Sequence, residues 1–154
     1  MLTFFLISSA ALAWAVYTST ITESASANAG TLTLIVTGYT VVSKPDYVDV
    51  EVTGVGTNAI TITASPFAPG DSVVIDITIK NTGTLPATSL TNSMSYSSTY
   101  DSAFTLEVGT YPSSLAPGAS TTITHTITLA HGLPNGAEDA SMQGTVTFTG
   151  RVGT

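Results

Sequence analysis

Residues 68–79 read APGDSVVIDITI, and at an offset of 48 residues 116–127 read APGASTTITHTI. The shared pattern is A-P-G-x-S-x-x-I-x-x-T-I. Pro-Gly makes a turn, because proline presets φ at the first central position and glycine accepts a positive φ at the second. After each turn apolar and polar residues alternate. Ile75, Ile77 and Ile79 share one face in the first copy, and Ile123, His125, Ile127 and Leu129 share it in the second. Period-two patterning predicts a half-buried antiparallel strand. The chain must therefore build a β-domain with two similar strand–turn edges.

The same alternation recurs elsewhere. TLTLIVT (31–37) sets Leu32, Leu34 and Val36 against Thr31, Thr33 and Ile35. YVDVEVT (47–53) sets Val48, Val50 and Val52 against Asp49 and Glu51, and AITIT (59–63) puts Ile60 and Ile62 on one face. Further strands are expected over 86–96, 103–108 and 143–152. Turn signals fall at Gly38, Gly54, Pro69-Gly70, Asn81-Thr82-Gly83, Pro117-Gly118 and Pro134-Asn135-Gly136. About seven to nine short strands punctuated in this way predict an Ig-like antiparallel β-sandwich over residues 31–154.

The opening stretch, MLTFFLISSAALAWAVYTST, has no side chain charged at neutral pH, and the first such in the chain is Glu23. Three readings apply. A signal peptide has such an apolar core and a small-residue site like Ala11-Leu12-Ala13, but wants a basic n-region. A membrane anchor is at its short limit with about seventeen apolar residues and lacks flanking Lys or Arg. The favoured expectation is a retained helix over 1–30, apolar all round and buried among neighbouring helices, about 45 Å long. Leu2, Phe4, Phe5, Leu6, Ala10, Ala13, Trp14 and Tyr17 are then the assembly residues. Ser8, Ser9 and Ala11 join Ala10 and Ala13 in allowing close helix approach. The expected fold class is α+β, mostly β.

Composition limits the partners. The chain of 154 residues carries a formal charge of −7, with only Lys44, Lys80 and Arg151 positive. Nucleic-acid binding needs clustered cations to displace counterions from phosphate, so it is not expected. Charged residues make up 8% of the chain, against about 25% in an ordinary soluble domain. Ser and Thr make up about 30%, so hydroxyls must cover much of the surface. That suits O-linked glycans or packing against copies of the same chain. Asn81-Thr82-Gly83 and Asn92-Ser93-Met94 both miss the N-linked acceptor pattern. Without cysteine there is no disulfide, thiol nucleophile or thiolate metal site. Assembly is then one remaining source of stability outside the cell.

An uncharged hydrophobic N-terminal helix leading into a Ser/Thr-rich Ig-like β-domain resembles an archaeal type IV pilin. The resemblance implies a mature chain starting at the hydrophobic segment, stored in the membrane and then polymerised with its helices in the filament core. It implies an extracellular, glycosylated pilus serving adhesion and biofilm. WAVYTSTITESASANAGTLTL (14–34) and APGDSVVIDITIKNTGTLPA (68–87) are also similar to the TasA/camelysin-type fibre proteins. There the resemblance implies that the segment TSTITESASANAG is donated as a strand to the next subunit. Both resemblances imply a helical homopolymer outside the cell.

Chemistry-bearing groups are sparse. His125 falls on the apolar face of its strand and reads as a neutral core histidine. His131, Glu138 and Asp139 form a conceivable metal set without supporting spacing. Asp46, Asp49 and Glu51 offer hard oxygens that could take Ca²⁺, or else a solvated face or a partner for Lys44. Tyr96, Tyr100, Phe104 and Tyr111 would mark a binding module if they clustered on loops, although core packing is the simpler reading. No G-x-S-x-G, phosphate loop or comparable motif is present. The expectation is a structural subunit without cofactor or catalysis, the alternative being a membrane-tethered Ig-like adhesion module.

Overall fold

The computed structural model describes residues 30–98, 100–133 and 139–152. Among them are nine strands: β1 Leu34–Ser43, β2 Asp49–Thr53, β3 Ala59–Phe67, β4 Ser72–Asn81, β5 Ala87–Ser98, β6 Phe104–Val108, β7 Ser114–Leu115, β8 Ser120–Leu129 and β9 Ala140–Val152. One 3-10 turn, Asp101–Ala103, precedes β6. The strands form a four-stranded sheet, β1-β4-β8-β6, and a five-stranded sheet, β2-β3-β9-β5-β7. All pairings are antiparallel.

This corrects the α+β class. The described residues are β with no α-helix, and no helix among them is long and apolar enough to cross a membrane. A run that is apolar throughout carries no periodicity to separate helix from strand, so the opening stretch could not decide the class. The helix expected over 1–30, and with it Leu2, Phe4, Phe5, Leu6, Ala10, Ala13, Trp14 and Tyr17, lies outside the described residues, Gly30 apart. A compact unit begins at Leu32.

The period-two expectation decides the core. Val73, Ile75, Ile77 and Ile79 of β4 are fully buried, as are Ile123 and Leu129 of β8 and Ile62 and Phe67 of β3. β9 adds Met142, Val146 and Phe148. Each such side chain contributes roughly 1.5–3 kcal/mol on leaving water. Phe67 and Phe104 meet edge to face at 5.1 Å and 87°. Gly144 leaves the space above β9 that the Met94 methyl occupies, and Tyr96 lies opposite it on β5.

The two echoed segments become neighbours. β4 pairs β8 with Asp76 opposite Thr124, which are each other's counterparts at the offset of 48. The repeat is thus a local two-fold axis through that pair, marked by the Thr124 hydroxyl donating to Asp76 Oδ1 at 2.6 Å. The turns obey it. Gly70 N–H donates to the Leu129 carbonyl and Leu129 N–H to Asp71, at 2.8 and 3.0 Å. Gly118 N–H donates to the Asn81 carbonyl and Asn81 N–H to Ala119, also at 2.8 and 3.0 Å. Each Pro-Gly turn closes the end of the other strand. Gly70 and Gly118 both have positive φ, 94° and 77°.

One turn expectation changes, and the Asn81-Thr82-Gly83 turn holds. Gly38 lies inside β1 at a register shift between Val36 and Gly38, so β1 runs on to Ser43 instead of ending at 37. Asn81 ends β4 fully buried. Its side-chain amide donates to the carbonyls of Leu85 and Leu115, at 2.8 and 3.0 Å, and its Oδ1 accepts from Gly83 N–H at 3.0 Å.

Candidate assembly edge and surface sites

A sandwich leaves four edge strands, each offering unpaired backbone groups to another chain. Three are short. β7 has two residues and pairs β5 only at Ala87 and Thr88, so residues 91–98 of β5, rich in Ser and Thr, have no strand among the described residues on that side. β6 has five and carries Glu107. β2 has five and carries exposed Asp49 and Glu51. β1 differs: it has ten residues and no charge. Its first part is covered, because Val36 N–H donates to the Thr57 carbonyl and Gly56 N–H to Val36, at 2.7 and 2.9 Å. From Gly38 onward no strand among the described residues lies on its outer side. There Tyr39 and Val42 are exposed, at 40% and 56%.

One end of the sandwich gathers the β1–β2 loop, the β3–β4 turn and the start of the β8–β9 connection, since Ser43 lies opposite Val74 and Ser72 opposite Thr128. The Tyr47 hydroxyl donates to Asp71 Oδ2 at 2.6 Å, and the same oxygen accepts from Ala68 N–H at 2.6 Å. The hydrogen bond to Asp71, then burial, then the carboxylate's charge hold the Tyr47 phenol above its ordinary value. Lys44 donates to the carbonyls of Val48 and Pro45 at 2.6 and 3.4 Å. His131 packs its ring against Gly70.

The acids weighed as possible metal ligands do not come together. Asp46 and Asp49 are exposed, and Asp49 Oδ1 accepts from Val50 N–H at 3.1 Å. Asp139 is exposed and Glu138 lies outside the described residues. Among the described residues no three His, Cys, Asp or Glu side chains gather closely enough to hold a metal ion.

The aromatic quartet is mostly core. Phe104 is buried, Tyr100 and Tyr111 pack against the core in part, and Tyr96 donates its hydroxyl to the Phe104 carbonyl at 3.1 Å. His125 is fully buried, as its strand face required. Its Nδ1–H donates to the Ile123 carbonyl at 3.2 Å, which leaves Nε2 to accept from the Asn92 amide at 2.6 Å. This bond crosses the core from one sheet to the other. Desolvation lowers the His125 pKa, opposed by the Ile123 hydrogen bond and the Asp76 charge. Phe148 meets the ring edge to face at 6.3 Å. The sequence did not single out Asn92, Tyr47 or the open stretch of β1. The signal for the last was available, as the ten residues of β1 carry no charge and include Tyr39, Val41 and Val42.

No curated protein and no solved structure matches the chain. The family model CARDB matches residues 48–146, from the start of β2 into β9. That is more than half the chain and most of the sandwich, so the chain belongs to the CARDB family, an Ig-like β-sandwich found in surface and adhesion-type proteins.

Proposed function

We propose that this chain is a structural subunit of an extracellular filament, without catalysis, whose copies join by adding a strand to the open edge of β1. The observation that carries the reading is the contrast between the two long uncharged edges: β1 exposes Tyr39 and Val42 where it is uncovered, whereas the stretch of β5 beyond β7, residues 91–98, carries mostly Ser, Thr and Asn. Main-chain hydrogen bonds to an added strand supply affinity there, and alternate side chains supply register. The occupant is an extended segment of a neighbouring copy, the role that the likeness to TasA/camelysin-type proteins gives to TSTITESASANAG. Family membership supports a place at the cell surface.

Electron microscopy of the purified full chain tests the reading, together with the double variant Tyr39→Lys/Val42→Lys. Both side chains are exposed, so the variant keeps its fold by far-UV circular dichroism, while edge lysines oppose strand addition. Filaments from the parent and monomers from the variant are expected. Filaments from both would exclude β1 as the joint. Monomers from both would favour the second reading, a surface adhesion module, which the family's occurrence in adhesion-type proteins supports. The outward rows of Ser and Thr are the acceptors we infer for O-linked glycans. An intact mass above the 15.7 kDa of the bare chain is the expected result, and an equal mass removes the inference.

A further inference from the structure

The outer face of the five-stranded sheet is mostly hydroxyls, with Asp49 and Glu51 at its β2 edge and Arg151 on β9. Thr53, Thr61, Thr145 and Ser95 stand in one row across β2, β3, β9 and β5, and Thr147 lies opposite Ser93 in the next. One place on this face is built differently. β5 slips its register between Thr88 and Thr91, and Ser89 in the slip has φ 49°. It is the one non-glycine residue in the left-handed region among the described residues. Bulges and strained backbone of this kind re-aim side chains at binding sites. Here the slip opens a depression of about 440 Å³ lined by Ser89, Thr91, Thr149, Gly150 and Arg151.

The lining has a definite chemistry. The Thr91 and Thr149 hydroxyls bond each other at 2.6 Å, and each keeps acceptor capacity for a further donor. The Thr88 hydroxyl donates to the Arg151 carbonyl at 3.0 Å and fixes the backbone of the arginine. Arg151 is the chain's one guanidinium, it is exposed, and no described residue pairs with its fork. Of the other two cations, Lys44 is engaged by the Val48 carbonyl, and Lys80 lies on β4 of the other sheet. No carboxylate lines the depression to repel an anion, and no aromatic ring offers a stacking platform.

We propose that this depression binds an acidic sugar, a ring bearing one carboxylate beside several hydroxyls, as in a uronic-acid residue of a polysaccharide. The guanidinium fork matches a planar carboxylate in two parallel hydrogen bonds. One guanidinium balances one negative charge, which suits a carboxylate better than a phosphate of about −1.5 to −2. Ser89, Thr91 and Thr149 donate and accept, as sugar hydroxyls require. The site stands apart from β1 and does not depend on assembly. Without a stacking ring each site is weak, and display of many copies would give avidity.

The test is binding of the full chain to immobilised polygalacturonate, with a neutral glucan as the control at the same ionic strength. Retention on polygalacturonate alone, released by free galacturonate, is expected. Arg151→Gln is expected to weaken binding at least fivefold. Arg151→Lys should fall between, since it keeps the charge and loses the fork, and Thr149→Val should weaken binding with the charge intact. Lys80→Gln, which removes the same charge elsewhere, should leave binding within twofold. Equal retention on the neutral glucan, less than fivefold loss in Arg151→Gln, or an equal loss in Lys80→Gln would each overturn the proposal. Far-UV circular dichroism of each variant confirms the fold, and if Arg151→Gln is not folded the Arg151→Lys and Thr149→Val results decide.

Discussion

His125 is held neutral by its surroundings. Its Nδ1–H has a carbonyl to donate to, and its Nε2 accepts from Asn92, so a second proton would face the Asn92 amide hydrogens. Asn92 Oδ1 is buried without a partner. Ile75 and Val108, which pair with His125 on either side, and Phe148 across the core offer the ring no charge, and Asp76 is the carboxylate that acts on it. Because burial lowers the folded-state pKa below 6.5, the unfolded chain binds more protons as pH falls from about 6.5. Stability is therefore full above that value and declines on acidification towards the folded pKa. His125→Gln keeps groups able to bond Asn92 and Ile123 while removing the titration. The drop in urea midpoint between pH 7.5 and pH 5.5 should be smaller in the variant than in the parent; equal drops would assign the acid sensitivity elsewhere. The histidine's burial was legible from its neighbours Ile123 and Ile127. Asn92 was not, because in TSLTNSMSYSS a polar residue sits where Leu90, Met94 and Tyr96 mark the inner face, and the partner that makes sense of it comes from the other sheet.

The echoed turns are alike in sequence and differ in what surrounds them. A Cβ at Gly118 meets nothing within 4 Å, whereas at Gly70 it would fall on the His131 ring. Both positions have positive φ, so alanine at either costs about 1 kcal/mol in backbone strain. Gly70→Ala must also displace the imidazole and should cost about 1 kcal/mol more, as overpacking does. Urea unfolding of Gly70→Ala, Gly118→Ala and Gly70→Ala/His131→Ala measures this. The excess should vanish in the double variant, and equal losses in the two single variants would show that the ring moves freely. The repeat and its turns were readable from the residues. That the two copies face each other about a two-fold was not, since register depends on how Asp76 meets Thr124. Gly38 shows the converse limit: glycine signals a turn and a bulge equally well, and tertiary pairing with β4 chose the bulge.

At the scale of the molecule, charge is kept off β1. Asp46, Asp49, Glu51 and Asp71 lie in or near the loops at one end, while β1 has no charge along its ten residues. The Ig-like sandwich was legible because period two and Pro-Gly turns act locally, and the class of the whole chain was not, because the opening run has no period to read. If copies join at β1, two opposing terms set the salt dependence. Subunits of charge −7 repel over roughly 30 Å at about 10 mM salt and over only about 8 Å at about 150 mM. Main-chain hydrogen bonds and apolar contact at β1 carry no net charge to be screened. Raising salt across that range should therefore increase the rate and extent of assembly, measured by light scattering and checked by electron microscopy. Tyr39→Lys/Val42→Lys should stay monomeric at both concentrations, because screening relieves repulsion between whole subunits and leaves two ammonium groups to be desolvated at the joint. Assembly that dissolves as salt rises would mean that ion pairs hold the copies together, and β1 would then be the wrong joint.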